Sequence, residues 1–94
     1  MENDIKEIFV FHKSKYYSID VDFTTKIIDL KEKIRKFTFV SSNYQKIGVV
    51  SDKNNLKNGQ KFFIISDVDD FKTLYDTGFS YGDRIYVMNK NLFN

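Results

Sequence analysis

Helical periodicity occurs once in this 94-residue chain, and that limits its architecture more than any other feature. Ile27, Leu30, Ile34 and Phe37 recur at helical spacing, while Lys26, Asp29, Glu32, Lys33 and Lys36 occupy the other faces. A lone amphipathic helix must bury its stripe against another element, and the rest of the chain offers strands. Thr24 or Thr25, just ahead of the apolar stripe, is the candidate N-cap.

The strands are read from period-two patterns. Glu7 to His12 is a run of strand formers, and Tyr16 to Val21 alternates Tyr17, Ile19 and Val21 with Tyr16, Ser18 and Asp20. His12 to Lys15 reads as the turn between them. Lys46 to Val50 and Lys61 to Ile65 read as a third and a fourth strand. The polar stretch from Ser51 to Gln60 that separates them carries Asn58-Gly59, a strong hairpin-turn pair. Phe71, Leu74 and Phe79 suggest a short helical or irregular crossover, after which Gly82-Asp83 turns into a last strand from Arg84 to Asn89. Hairpin, helix, strand, strand, crossover, strand is an α+β order. It is the β-grasp plan, a mixed sheet packed on one main helix.

Composition excludes more than it proposes. Fifteen basic and thirteen acidic residues leave a formal charge of +2, so there is no domain-wide basic field and no nucleic-acid partner is expected. With no cysteine, disulfide frameworks, cysteine-based zinc sites and thiol catalysis are impossible. Half of the residues are Lys, Asn, Ile, Phe or Tyr, whose codons are rich in A and T, which points to an AT-rich genome and removes weight from the lysine count. The start MENDIKE has no apolar segment of a secretory signal, and the apolar runs at Ile8 to Phe11 and Phe62 to Ile65 are far too short to span a membrane. An intracellular protein, cytoplasmic or nuclear, is the expectation. No linker or repeat divides residues 1–94, so one domain is expected, with an ordered core of about 6–90 and loose ends on either side.

These segments resemble the ubiquitin-like family. Ile8-Phe9-Val10 with Ser18-Ile19-Asp20-Val21 is similar to its opening hairpin, and Lys26 through Ile34 looks like its apolar-x-x-apolar-Lys-x-x-Ile helix. Gln45-Lys46-Ile47 is similar to the Gln-Arg-Leu that opens its third strand. Lys72 to Phe79, followed by Gly82 to Val87, resembles its Thr-Leu-x-Asp-x-x-Ile ending and closing strand. The resemblance implies a protein-interaction domain without catalysis, cofactor or metal. Its partners would be proteins, with those of the ubiquitin or splicing machinery as the candidates, and it would be a monomer in isolation. Three departures qualify this. Lys90-Asn91-Leu92-Phe93-Asn94 holds no Gly-Gly, so conjugation through a diglycine tail is not expected. Gly48 falls where ubiquitin's recognition patch has a protruding aliphatic side chain. An insertion occupies about 51–66.

Candidate site residues follow from strand parity. If Ile85 and Val87 face the helix, Tyr86 and Met88 face outward, with Phe11 and Gly48 on neighbouring strands. These four are the expected protein-binding residues, and Gly48 is expected to leave a shallow depression. Phe9/Phe11 and Ile8/Val10 compete for the inward side of the first strand. Asp67, Asp69 and Asp70 carry the alternative: Phe63 to Phe71 loosely resembles the acidic motif of Phox/Bem-type domains, which pair acidic with basic faces. A covalent or covalent-like modifier, similar to ubiquitin or to the Hub-type splicing modifier, is a further alternative. As a cation loop the aspartates lack calcium-loop spacing and a closing glutamate, and a solvated loop is the plainer reading. His12, the only histidine, reads as a solvated turn residue.

Overall fold

The computed structural model describes residues 5–56 and 59–93, with side chains over 5–51 and 62–91. Strand β1 (Lys6–His12) turns through Lys13 and Ser14 into β2 (Lys15–Val21), with Lys13 at φ 58°, and the two pair antiparallel with Ile8 opposite Ile19 and Phe11 opposite Tyr16. Helix α1 (Ile27–Thr38) follows, then β3 (Gln45–Leu56), β4 (Gly59–Ile65) and, after an irregular crossover, β5 (Arg84–Asn89). The sheet runs β2-β1-β5-β3-β4. β5 is parallel to β1 and antiparallel to β3, and this mixed five-strand sheet on one main helix is the β-grasp fold.

Alternation puts one face of every strand under the helix. Ile8, Val10, Ile19, Val21, Ile47, Val49, Ile65, Ile85 and Val87 bury there against Ile27, Leu30 and Ile34, with Leu74 and Phe79 of the crossover closing the core. The contest on β1 is thereby resolved: Ile8 and Val10 point in, and Phe9 and Phe11 point out.

Four local expectations are corrected. Neither Thr24 nor Thr25 caps α1. The N-cap is Lys26, without a side-chain bond, and the orphan N–H groups of Ile27 and Ile28 donate to the carbonyls of Lys72 and Asp70, each at 2.9 Å. The threonines instead build the preceding turn, where Thr24 N–H and Oγ1 donate to Asp22 Oδ1. Phe37 is not in the core stripe: it is 44% exposed and stacks on Tyr17. The third and fourth strands are longer than the expected 46–50 and 61–65: β3 runs on to Leu56 and β4 begins at Gly59, the two opposite each other after a register shift beyond Ser51. Asn58, half of the expected turn, lies outside the described residues. Asn91 to Asn94 are expected as a loose end, but Lys90–Phe93 form a 3-10 turn.

The crossover is tied to the helix start rather than floating. Leu74 N–H donates to Thr25 O at 2.8 Å, and Lys26 bridges to Thr73. Gln45 fastens the other end of α1, its Nε2 donating to Lys31 O at 2.8 Å and Val40 O at 3.0 Å from a fully buried position.

Candidate functional site: the outward sheet face

The face turned away from α1 carries a group of apolar side chains, with Glu7, Ser18, Asp20, Lys46 and Arg84 on the same face around it. Parity places Phe9 and Phe11 of β1, Tyr16 of β2, Tyr86 and Met88 of β5, Val50 of β3, and Phe62 and Ile64 of β4 on it. Tyr86 and Met88 are half-buried and outward, as expected, while Ile85 and Val87 beside them are fully buried. Phe11 and Tyr86 face each other across the parallel pair, ring centroids 5.0 Å apart and planes 20° apart. That separation matches the spacing of neighbouring strands, so the two rings stand side by side and each covers a face of the other. Tyr16 extends the row, 5.5 Å from Phe11 and 5.7 Å from Phe9.

Gly48 does not form the expected depression. A Cβ there would meet Phe62 Cε1 at 2.9 Å and Ile64 Cδ1 at 3.5 Å, because the Phe62 ring lies across the bare backbone from the neighbouring strand. The aromatic side chain of β4 fills the place where a central aliphatic residue would stand. The depression lies beside it: an open hollow of about 460 Å³ lined by Phe11, Val50, Phe62, Tyr86 and Met88, with Lys13 at its rim. Three of the four residues expected at the site therefore come together, and Gly48 serves as the seat of the Phe62 ring. Phe62, Val50 and Lys13 were missed. The alternation Phe62, Phe63, Ile64, Ile65 could have revealed Phe62, since Ile65 is buried and Phe63 packs against the core.

The aspartates stay partly in solvent, as a solvated loop would have them, but each is also paired within the chain. Asp67–Asp69 forms a 3-10 turn with Ser66 Oγ accepting from Val68 N–H. Lys31, 3% exposed, sends its Nζ to Asp67 Oδ1 at 3.0 Å and Asp70 Oδ1 at 2.8 Å. Lys90 Nζ takes the other Asp67 oxygen at 2.5 Å, and Asp69 pairs with Lys72 at 3.3 Å. Burial works against the charge on Lys31, but the bonds to Asp70 and Asp67 outweigh it, and its pKa is raised above 10.5. The Asp67 carboxyl is held below its ordinary range by the bonds from Lys90 and Lys31. His12 is half-buried at the end of β1, where burial and then the neighbouring Lys13 lower its pKa. Among the described residues no three His, Cys, Asp or Glu side chains gather to hold a metal, and no helix is long and apolar enough to cross a membrane.

The chain has a ubiquitin-like β-grasp fold. It is similar to the solution structure of the ubiquitin-like domain of Arabidopsis thaliana protein At2g32350, with 21% identity over 92% of this chain and 78% of that one, at a TM-score of 0.69. It is also similar to the C-terminal ubiquitin-like domain of mouse tubulin-specific chaperone e, with 11% identity over 93% and 88% of the two chains, at a TM-score of 0.69. At such identities the likeness is one of fold. No family model matches the sequence, and no curated protein does.

Proposed function

We propose that this is a non-catalytic protein-interaction domain that docks a partner on its outward sheet face, around Tyr86 and Met88. The observation that carries this reading is the hollow of about 460 Å³ among Phe11, Val50, Phe62, Tyr86 and Met88, an apolar concavity on a rigid sheet with aromatic walls. Aromatic side chains in such settings concentrate interface energy, and a contiguous exposed apolar patch marks a site where something binds. The reading also takes residues 90–93 as no conjugation tail. Conjugated tails run extended into narrow active sites, whereas Lys90–Phe93 form a 3-10 segment with Lys90 paired to Asp67.

The test is affinity capture from the source organism with three baits: the native chain, Met88→Asp and Asp69→Lys. A partner held by the native chain and by Asp69→Lys, and lost with Met88→Asp, is the expected result. Loss with Asp69→Lys instead would assign binding to the acidic face, as in Phox/Bem-type pairing. Asp69 is chosen because its carboxylate stands apart from the Lys31 network, so reversal leaves that network in place. Incubation with an activating enzyme and ATP should give no thioester, and a thioester would return the modifier reading.

A further inference from the structure

A second surface lies where the tip of the β1–β2 hairpin meets the C-terminal end of α1. The helix ends on Phe39, whose φ of 62° and ψ of 18° lie in the left-handed region and whose N–H closes the last turn on Arg35 O at 2.9 Å. Glycine or asparagine ordinarily takes this position, because a Cβ there crowds the backbone. Phe39 bears that cost and then leaves 88% of its surface in solvent, so burial returns nothing for it. A side chain unfavourable on both counts in the free domain points to use outside it.

Its surroundings give the use a chemistry. Between hairpin and helix end lies a cavity of about 320 Å³, with Lys13 and Lys15 on one side and Tyr17, Phe37 and Phe39 on the other. Its floor is the Phe37–Tyr17 stack, ring centroids 5.4 Å apart. No carboxylate lines it; the adjoining groove beside Phe37 holds Lys33 and Lys36 together with Glu7 and Asp20, which offset them. The carbonyls ending α1 contribute about half a negative charge, which the ammonium groups of Lys13 and Lys15 outweigh.

We infer that this corner is a docking site for an acidic peptide segment, distinct from the sheet-face hollow although Lys13 borders both. The segment inserts one apolar or aromatic side chain between Phe39 and the Phe37–Tyr17 stack, and its flanking carboxylates meet Lys13 and Lys15. The cavity beneath Phe39 offers a side chain walls to pack between, a feature that insertion of the exposed Phe39 into a bilayer would leave unused. It also suits a side chain better than a base, since Tyr17 already covers one face of Phe37.

The experiment selects random displayed peptides on the full chain and titrates the winner into isotope-labelled protein. Enrichment of Leu, Phe or Trp flanked by Asp and Glu is expected, with amide shifts over 12–17 and 36–40. Phe39→Gly should raise Tm, because glycine relieves the left-handed backbone, while weakening the peptide about tenfold. Lys15→Glu should weaken it several-fold, and Met88→Asp should leave it unchanged. Enrichment of neutral or basic peptides, shifts confined to the Tyr86 face, or undiminished binding by Phe39→Gly would overturn the inference. So would failure to enrich any peptide. Binding of oligothymidylate or phosphatidylserine vesicles through Phe39, without acidic peptides, would assign the corner to nucleic acid or membrane instead.

Discussion

Lys31 is the residue on which burial and charge meet. Its ammonium is removed from water and held by Asp67 and Asp70, two side chains that remain partly wet. Removing the lysine leaves carboxylates that can turn to solvent, so the penalty falls below that of stranding a fully buried charge. Lys31→Met should cost about 1–3 kcal/mol in urea unfolding at neutral pH. The pH dependence follows from the direction of each shift. Because the folded pKa of Lys31 is raised, its contribution is complete below the unfolded value of about 10.4 and is lost as pH rises through the folded one. Tyr75, whose phenol is pushed up by burial, loses its contribution over the same alkaline range. Asp67 is lowered, so its contribution is complete above about pH 4 and is lost as pH falls through its folded pKa. His12 is lowered, so stability also falls as pH drops below about 6.5 through its folded pKa. The urea midpoint should therefore be flat only from about pH 7 to pH 10 and fall on both sides, with a smaller alkaline fall in Lys31→Met, where only Tyr75 remains of the pair. An unchanged alkaline limb in that variant would show that Lys31 is not held as described.

At the level of elements, α1 separates what the sequence discloses from what it conceals. Its stripe was legible at Ile27, Leu30 and Ile34 because each faces a sheet whose own alternation matches, and all three are fully buried. Phe37 continues the same period but reaches beyond the edge of β2, where Tyr17 is the ring it finds, and periodicity alone cannot say where a sheet stops. Leu30→Ala should cost about 2–5 kcal/mol, whereas Phe37→Ala should cost about 1 kcal/mol, the worth of an aromatic pair at a half-exposed site. Equal costs in chemical denaturation would mean that the helix is rotated from its described register. The cap of α1 was illegible for a different reason: its donors reach carbonyls at Asp70 and Lys72, more than forty positions along the chain. Lys31 was hidden likewise, as a helical lysine reads as solvated until its distant aspartates are known. The extension of β3 and β4 past Ser51 was concealed because a polar stretch shows no alternation to read, although the backbone ladder continues through it.

Over the whole molecule the sheet is two antiparallel pieces, β2-β1 and β5-β3-β4, joined along the parallel β1–β5 seam at Val10 opposite Ile85 and Phe11 opposite Tyr86. On the inner side that seam is sealed by the core, and on the outer side by the Phe11–Tyr86 stack. The two sides have opposite sensitivities. Val87 is 3% exposed and faces α1, so Val87→Asp places a carboxylate among Ile34, Ile47 and their neighbours with no partner. The loss should be roughly 3–5 kcal/mol, enough to abolish cooperative folding in a domain of this size. Met88 is one position along and half-buried on the outer face, where a carboxylate keeps its water, so Met88→Asp should change stability by no more than about 1 kcal/mol. Thermal unfolding of the two variants side by side checks this directly. Two unfolded variants, or two stable ones, would place both residues in one environment and remove the outward face on which docking depends. A stable Met88→Asp beside an unfolded Val87→Asp leaves a domain whose fold is intact and whose hollow carries a charge, the state in which loss of a partner can be read as loss of a contact.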